Sequence, residues 1–268
     1  MKSFRLCMVC MRSAVGDVRG NTEKILKITD RAVRGGSDFI VFPEMSVTGY
    51  SMVSGSLEKI NTDSPAVREI TAASEGGKCI CFGFCDDEGY IVQCIADNGK
   101  IAGFYRKTHL GYAESQRMKP GNSLDIIRTS KGNAGIQLCW ESHFPEISRT
   151  YALKGADIIL MPHASGLTGK RREETWKRIL PSRAYDNSVY AASCNASGDN
   201  GAGVSFGGCG MILDPLGRVI AEDFSGEECE IYADITPEPL EAIRNGDGFR
   251  TMKNLYYLEK RRPELYLK

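Results

Sequence analysis

The sequence predicts an α/β layered protein built on a mixed β-sheet. Short apolar runs rich in Val, Ile and Phe alternate with helical-period segments from end to end, which is the layered pattern. Consecutive hairpin-like pairs in the middle of the chain make the sheet mixed rather than purely parallel. No internal repeat, low-complexity tract or linker interrupts the 268 residues, so one domain spanning 1–268 is expected.

Residues 4–11 and 39–42 have strand length and composition. Between them a helix is expected over 22–33, with Ile25, Leu26, Ile28, Ala32 and Val33 on one face, Asn21 as N-cap and Gly35 past the end. Runs 79–84, 90–96 and 101–105 follow, separated by glycine or acidic turns, and the series continues at 135–139, 157–160, 189–194, 210–213, 218–221 and 230–234. A second helix over 145–153 opens on Pro145 and closes at Gly155. A third, over 172–187, contains Pro181 and is expected to kink or break there. From Glu238 onward the chain turns polar and basic, an arm over about 238–268 suited to packing on a second subunit.

Charge and cysteine content narrow the function classes. The 34 Lys+Arg balance 34 Asp+Glu, which removes the long-range attraction that nucleic acid or an anionic membrane surface requires. Met1 to Met11 reads MKSFRLCMVCM, where Arg5 interrupts the apolar stretch and no small-residue cleavage site follows, so no secretory signal is expected. No apolar run approaches the roughly 18 residues of a membrane span. The ten cysteines are therefore expected to be mostly reduced thiols in a cytoplasmic protein.

Three segments share one feature, a buried strand that runs out into a reactive side chain. Ile40-Val41-Phe42-Pro43-Glu44 places a carboxylate at a strand's C-terminal edge, where ligands bind in open α/β sheets; alone, it reads as a capping or solvated group. Phe104-Tyr105-Arg106-Lys107 ends in a cation, with His109 and Glu114 beyond it; a lone His109 beside Leu110 reads as structural. Gly135-Ile136-Gln137-Leu138-Cys139 places a thiol before a helix start, where free N–H groups favour a thiolate or an oxyanion. Together Glu44, Lys107 and Cys139 supply a base, a cation and a nucleophile.

The motifs FPEMSVTGY, YRKTHLGYAES and GIQLCWESHFPE, in that order and spacing, closely resemble the nitrilase superfamily of carbon–nitrogen hydrolases. RAYDNSVYAASCNASG at 183–198 and GCGMILDPLGRVIAE at 208–222 extend the resemblance over nearly the whole chain. It implies a four-layer αββα sandwich that stacks as αββα–αββα in a homodimer with exchanged C-terminal arms. By the same resemblance Glu44 is the general base, Lys107 the oxyanion-stabilising cation, Cys139 the nucleophile and Glu114 the residue that orients the lysine and the substrate. The backbone N–H of Trp140 completes the oxyanion hole, and Tyr50 and Glu141 belong to the substrate-binding set; His163, at a strand end where the family places pocket-lining residues, either reads the substrate or has a structural role. The implied reaction hydrolyses a small amide or N-carbamoyl compound through a cysteine thioester, with no metal or cofactor.

Cys139-Trp140-Glu141 resembles true nitrilases, whereas Phe144-Pro145-Glu146 resembles the amidase branches, so a small nitrile is the alternative substrate. Arg171, Arg172, Glu173 and Glu174 open a helix and could reach the mouth of the site, but a run of mixed charge reads by default as a solvated face. A different class of function, a metal or redox-sensing cluster of Cys79, Cys81 and Cys85 with Cys7 and Cys10 elsewhere, lacks the paired spacing of a structural zinc site.

Overall fold

The computed structural model of the chain describes residues 1–53, 57–245 and 256–266, so the parts of the expected arm at 246–255 and 267–268 lie outside the described residues. In its first half, β1 (Phe4–Cys10), α1 (Val18–Arg34), β2 (Phe39–Val41), α2 (Pro65–Ala72) and β3 (Cys79–Cys85) lead to the hairpin strands β4 (Ile91–Asp97) and β5 (Lys100–Arg106). After the short α3 (Tyr112–Ser115) come β6 (Ile127–Arg128), β7 (Asn133–Ile136), α4 (Pro145–Leu153), β8 (Ile158–His163), α5 (Gly169–Tyr185) and β9 (Tyr190–Asn195). A small pair, β10 (Gly198–Asp199) and β11 (Ser205–Phe206), precedes β12 (Gly208–Leu213), β13 (Val219–Gly226), β14 (Cys229–Ile235) and α6 (Glu238–Arg244).

There are two mixed six-stranded sheets, in the orders β14-β1-β2-β3-β4-β5 and β13-β12-β9-β8-β7-β6. In each, three parallel strands are joined through helices and flanked by antiparallel partners: β1-β2-β3 through α1 and α2, β7-β8-β9 through α4 and α5. Parallel neighbours need such crossovers, whereas β3-β4-β5 are close enough in sequence to pair as hairpins.

Strand alternation divides the core. Leu6, Met8, Val41, Cys81 and Ile95 point inward to meet Ile136, Leu160, Ala192 and Ile212 of the second sheet. The intervening Cys7, Val9, Ile40, Ile80 and Phe82 point outward and pack with Ile25 and Ile28 of α1 and Val67 and Ile70 of α2. On the other side Ile159, Met161, Ala191 and Met211 pack with Tyr151, Trp176 and Leu180 of α4 and α5. The layers are therefore αββα, and burial on both faces accounts for the continuous apolar runs.

Three local expectations are corrected. α1 starts a turn before residue 22, capped by Asp17, whose Oδ1 accepts from Gly20 N at 2.9 Å. Asn21 is buried inside the first turn, where it bonds Ala14 and the Val47 carbonyl and so anchors the loop after β2. α5 runs unbroken through Pro181 because Trp176, Leu180 and Ala184 are buried on both sides of it, and this packing offsets the hydrogen bond the proline lacks.

Candidate active site

Each candidate side chain leaves a strand end on the same edge of the sandwich. β2 stops at Val41, and Glu44 follows Pro43 into the protein interior, 1% exposed. The next residue, Met45, has φ 53°, a left-handed conformation rare outside glycine. That turn lies on Gly83 of β3: a Cβ there would sit 2.5 Å from the Met45 nitrogen and 2.4 Å from Gln93 Oε1. Gly83→Ala is accordingly expected to cost about 1–3 kcal/mol by overpacking and to displace Glu44; thermal unfolding with an activity assay on the same sample checks both.

Lys107 emerges from β5 wholly buried, and its Nζ donates to Glu44 Oε1 and to Glu114 Oε1, each at 2.7 Å. An ammonium has three donors, so one remains for a third acceptor. Glu44 is held from its other side by Ala164 N at 3.1 Å, at the end of β8. Glu114 Oε1 also accepts from Tyr50 OH at 2.9 Å, and Glu114 Oε2 accepts from Gly111 N at 2.7 Å across the first turn of α3. Tyr50 thus enters the site through Glu114.

The expected strand ending at Cys139 is shorter, because the chain leaves β7 after Ile136 and turns into a 3₁₀ helix, Cys139–His143. Cys139 itself has φ 44°, the kind of strained backbone that concentrates at functional sites. The Trp140 N–H lies in the first turn of that helix, where amides lack intrahelical acceptors; its ring is exposed and packs against His143 and Phe144.

Electrostatics tie these groups together. Burial pushes the Cys139 thiol up to about 12, with the Glu44 charge adding to the rise and Lys107 opposing it, so the resting group is a neutral thiol. Burial likewise raises the Glu44 carboxyl to about 7, with Lys107 pulling it down and Glu114 and Glu141 adding to the rise. The Lys107 ammonium is desolvated, yet its acidic neighbours hold its pKa above the usual lysine range.

Glu141, expected to bind substrate, is placed differently, and His163 takes its structural alternative. Glu141 is fully buried and both its oxygens are taken by protein donors: Oε1 accepts from Tyr105 OH (2.6 Å), Thr108 N (2.9 Å), Thr108 Oγ1 (2.7 Å) and His109 N (3.0 Å), and Oε2 from Leu138 N (2.8 Å). It braces the segment after Lys107 against the segment before Cys139, with both oxygens engaged by protein donors. Glu141→Ala, which orphans several buried donors, is expected to cost about 3 kcal/mol or more; a lowered melting temperature with correspondingly lowered activity is the check. His163 packs behind the site on the Trp176 ring at 4.8 Å, with Nδ1 on the Met161 carbonyl at 2.7 Å and Nε2 sealed from solvent. Burial, reinforced by Arg172, keeps it neutral. His109 packs on Phe144, ring centroids 4.5 Å apart and tilted by 35°.

The solvated-face reading fails for Arg172, which is only 4% exposed and reaches Ser165 beside the Glu44 anchor. Its signal in the sequence is its spacing, four residues before the buried Trp176 and therefore on the same helical face.

The cysteines separate by environment. All ten are free thiols, and Cys139 and Cys229 alone are not fully buried. Cys79, Cys81 and Cys85 all line β3 and face the inter-sheet core, where burial pushes the first two up to about 12 and the third to about 11. Among the described residues no group of three or more His, Cys, Asp or Glu side chains is arranged to hold a metal ion, and no helix is long and apolar enough to cross a membrane.

Fold and site together define a carbon–nitrogen hydrolase, and the chain belongs to that family: the family's model matches residues 5–245. Among its relatives, a probable nitrilase of Schizosaccharomyces pombe is 28% identical, covering 99% of this chain and 98% of that one. The omega-amidase of Xenopus tropicalis is also 28% identical, covering 98% of this chain and all of its own length. Of solved structures, Saccharomyces cerevisiae Nit3, a nitrilase-superfamily member, superposes with a TM-score of 0.79 at 24% identity, covering 94% of this chain and 97% of its own. A mutant amidase from Nesterenkonia sp. AN1, bearing the acetamide moiety of fluoroacetamide on its active-site cysteine, gives 0.81 at 22% identity, covering 98% and 95%. These two show that the nitrilase-superfamily fold is shared.

Proposed function

We propose that the protein hydrolyses the C–N bond of a small amide or N-carbamoyl compound through a thioester on Cys139. The observation that carries this reading is a fully buried lysine bonded to two carboxylates beside a strained cysteine. Structural braces alone do not need a charged triplet in the dry interior, since apolar side chains would fill the space at lower cost.

In this mechanism ionised Glu44 takes the Cys139 proton as the sulfur attacks the amide carbon. Negative charge moves to the carbonyl oxygen, where the free donor of Lys107 and the Trp140 N–H stabilise it. Collapse expels the nitrogen, which takes a proton from Glu44 and leaves as ammonia. Water then attacks the thioester with Glu44 again as base, giving the acid and restoring the thiol. Glu114, fixed by Tyr50 and Gly111, keeps Lys107 aimed.

Two tests follow. An ammonia-release screen over ω-amides, N-carbamoyl compounds, aliphatic amides and nitriles is expected to find its best substrate among the amide or carbamoyl classes. A nitrile as the best substrate favours the second reading, which Cys139-Trp140-Glu141 and the probable nitrilase relative support. The pH profile has a defined sign as well: Glu44 must be ionised to act, and burial raises it to about 7, so kcat/KM should increase as pH rises through about 7. A limb at the ordinary glutamate value, near 4.5, would contradict Glu44 as the base.

The same reading includes a homodimer acting in a reducing cytoplasm. Exposed Leu153 and Tyr185 on the outer helices, with Tyr257 and Tyr266 of the arm, supply apolar surface for a second copy, and sedimentation velocity tests it.

A further inference from the structure

We propose that hydrogen peroxide oxidises Cys229 and that Cys10 then closes a reversible disulfide with it, so that the pairing of β1 with β14 is a redox-modification site. The inference goes beyond the amide-hydrolase reading and does not depend on it.

Register brings the two thiols together. β1 and β14 are antiparallel, and their ladder ends with Cys10 directly opposite Cys229. Both side chains lie on one face: Leu6, Met8 and Cys10 alternate inward along β1, as do Cys229, Ile231 and Ile235 along β14. Directly opposed antiparallel residues have Cα atoms about 4.5–5.5 Å apart. A disulfide spans Cα separations of about 4.4–6.8 Å, so this pair can bond without a backbone shift. Cys229 is also the neighbour that does most to push the Cys10 thiol up, ahead of burial itself, as two sulfurs in close approach would. In the registers of the two six-stranded sheets, among the described residues, no other two cysteines are directly opposed.

The two thiols differ in access, and the difference sets the order of events. Cys229 is half-buried, whereas Cys10 is 1% exposed. A cavity of about 260 Å³ opens beside them and is lined by Lys24, Lys27 and Arg31 of α1. Lys24 pairs with Glu228 and Arg31 with Glu230, and Asp223 faces Cys229 from β13, so charges of both signs surround the thiol and a small neutral oxidant suits it. An accessible thiol next to a second thiol is the arrangement in which oxidation stops at a reversible disulfide. In the first step the Cys229 sulfur attacks one peroxide oxygen: the S–O bond forms, the O–O bond breaks, and the departing hydroxide takes the thiol proton and leaves as water. In the second the Cys10 sulfur attacks the Cys229 sulfur: the S–S bond forms, the S–O bond breaks, and hydroxide leaves with the Cys10 proton as a second water. The two thiols lose two electrons, which one peroxide gains. Exchange with a small dithiol restores both thiols.

The test treats the native protein with hydrogen peroxide, blocks the remaining thiols with N-ethylmaleimide, and maps the unreduced tryptic digest by mass spectrometry. The expected product joins residues 6–12 to residues 219–244, is lighter by two hydrogen atoms than the two thiol peptides together, and disappears with dithiothreitol. Residues 6–12 also contain Cys7, which packs on the outer face of the sheet, so fragment ions are expected to place the bond on Cys10. Cys10→Ala is expected to stop at the sulfenic acid, trapped on Cys229 by dimedone, and Cys229→Ala to lose the cross-link and leave Cys10 reduced, each variant checked for fold by melting temperature. A bond from Cys229 to any other cysteine, a cross-link through Cys7, or a Cys229 that stays a free thiol at every peroxide dose the fold survives overturns the proposal.

Discussion

Cys139→Ala is expected to abolish ammonia release from any amide the protein turns over, by a factor on the order of 10⁴ or more, while the fold survives. The size follows from what is removed. Without the sulfur no covalent intermediate forms, and water must attack an amide directly from a site arranged around a thiol. Survival of the fold follows from position: Cys139 opens a short 3₁₀ helix on the sandwich edge and is not fully buried, unlike the core cysteines. The two residues before Cys139 are held independently of its side chain, Leu138 N by Glu141 and Gln137 N by the Leu160 carbonyl, and both contacts remain in the variant. Retained melting temperature with lost activity, measured on one preparation, is the predicted pair of results. Retained turnover would remove the thiol from the mechanism.

Lys107→Met is expected to be nearly as damaging to activity, by about 10²–10³, and worse for stability. Methionine matches the length of the lysine stem but supplies no donor to the oxyanion. It also leaves Glu44 and Glu114 buried side by side without their shared cation, and breaking a buried pair costs about 3–5 kcal/mol. The pH dependence distinguishes this from a simple packing defect. Lys107 lowers the Glu44 pKa in the native protein, so its loss raises that carboxyl further above its unfolded value. A folded state with the higher pKa holds the extra proton, and its stability is lost as pH rises through that pKa. The variant should therefore melt higher at pH 6 than at pH 8, by a larger margin than the native protein; an identical pH trend in the two would sink this account.

Much of the site is legible in the sequence because it is written at strand ends. Glu44, Lys107 and Cys139 each follow an apolar run, and the two sheets bring the ends of β2, β5 and β7 to one edge. The order of strands and helices is legible for the same reason, since apolar runs and glycine turns are local signals. Glu141 was not: its role depends on donors from Tyr105, Thr108 and His109, which sequence spacing does not bring to it. The N-cap of α1 shows competition between two good candidates. Asp17 takes the cap, whereas Asn21 is drawn inward by Ala14 and Val47. α2 had its signature in plain view, with Ser64 as N-cap and Pro65 at the first helical position, but the segment is short and its apolar periodicity weak.

The central claim is that Cys139 carries the acyl group during turnover. Rapid acid quenching of the native protein at saturating substrate, followed by peptide mapping by mass spectrometry, tests it most directly. The predicted result is the substrate's acyl mass on the peptide containing Cys139, rising to a steady level as ammonia is released. An acyl group on another residue, or an unmodified Cys139 at every quench time while ammonia accumulates, would contradict it.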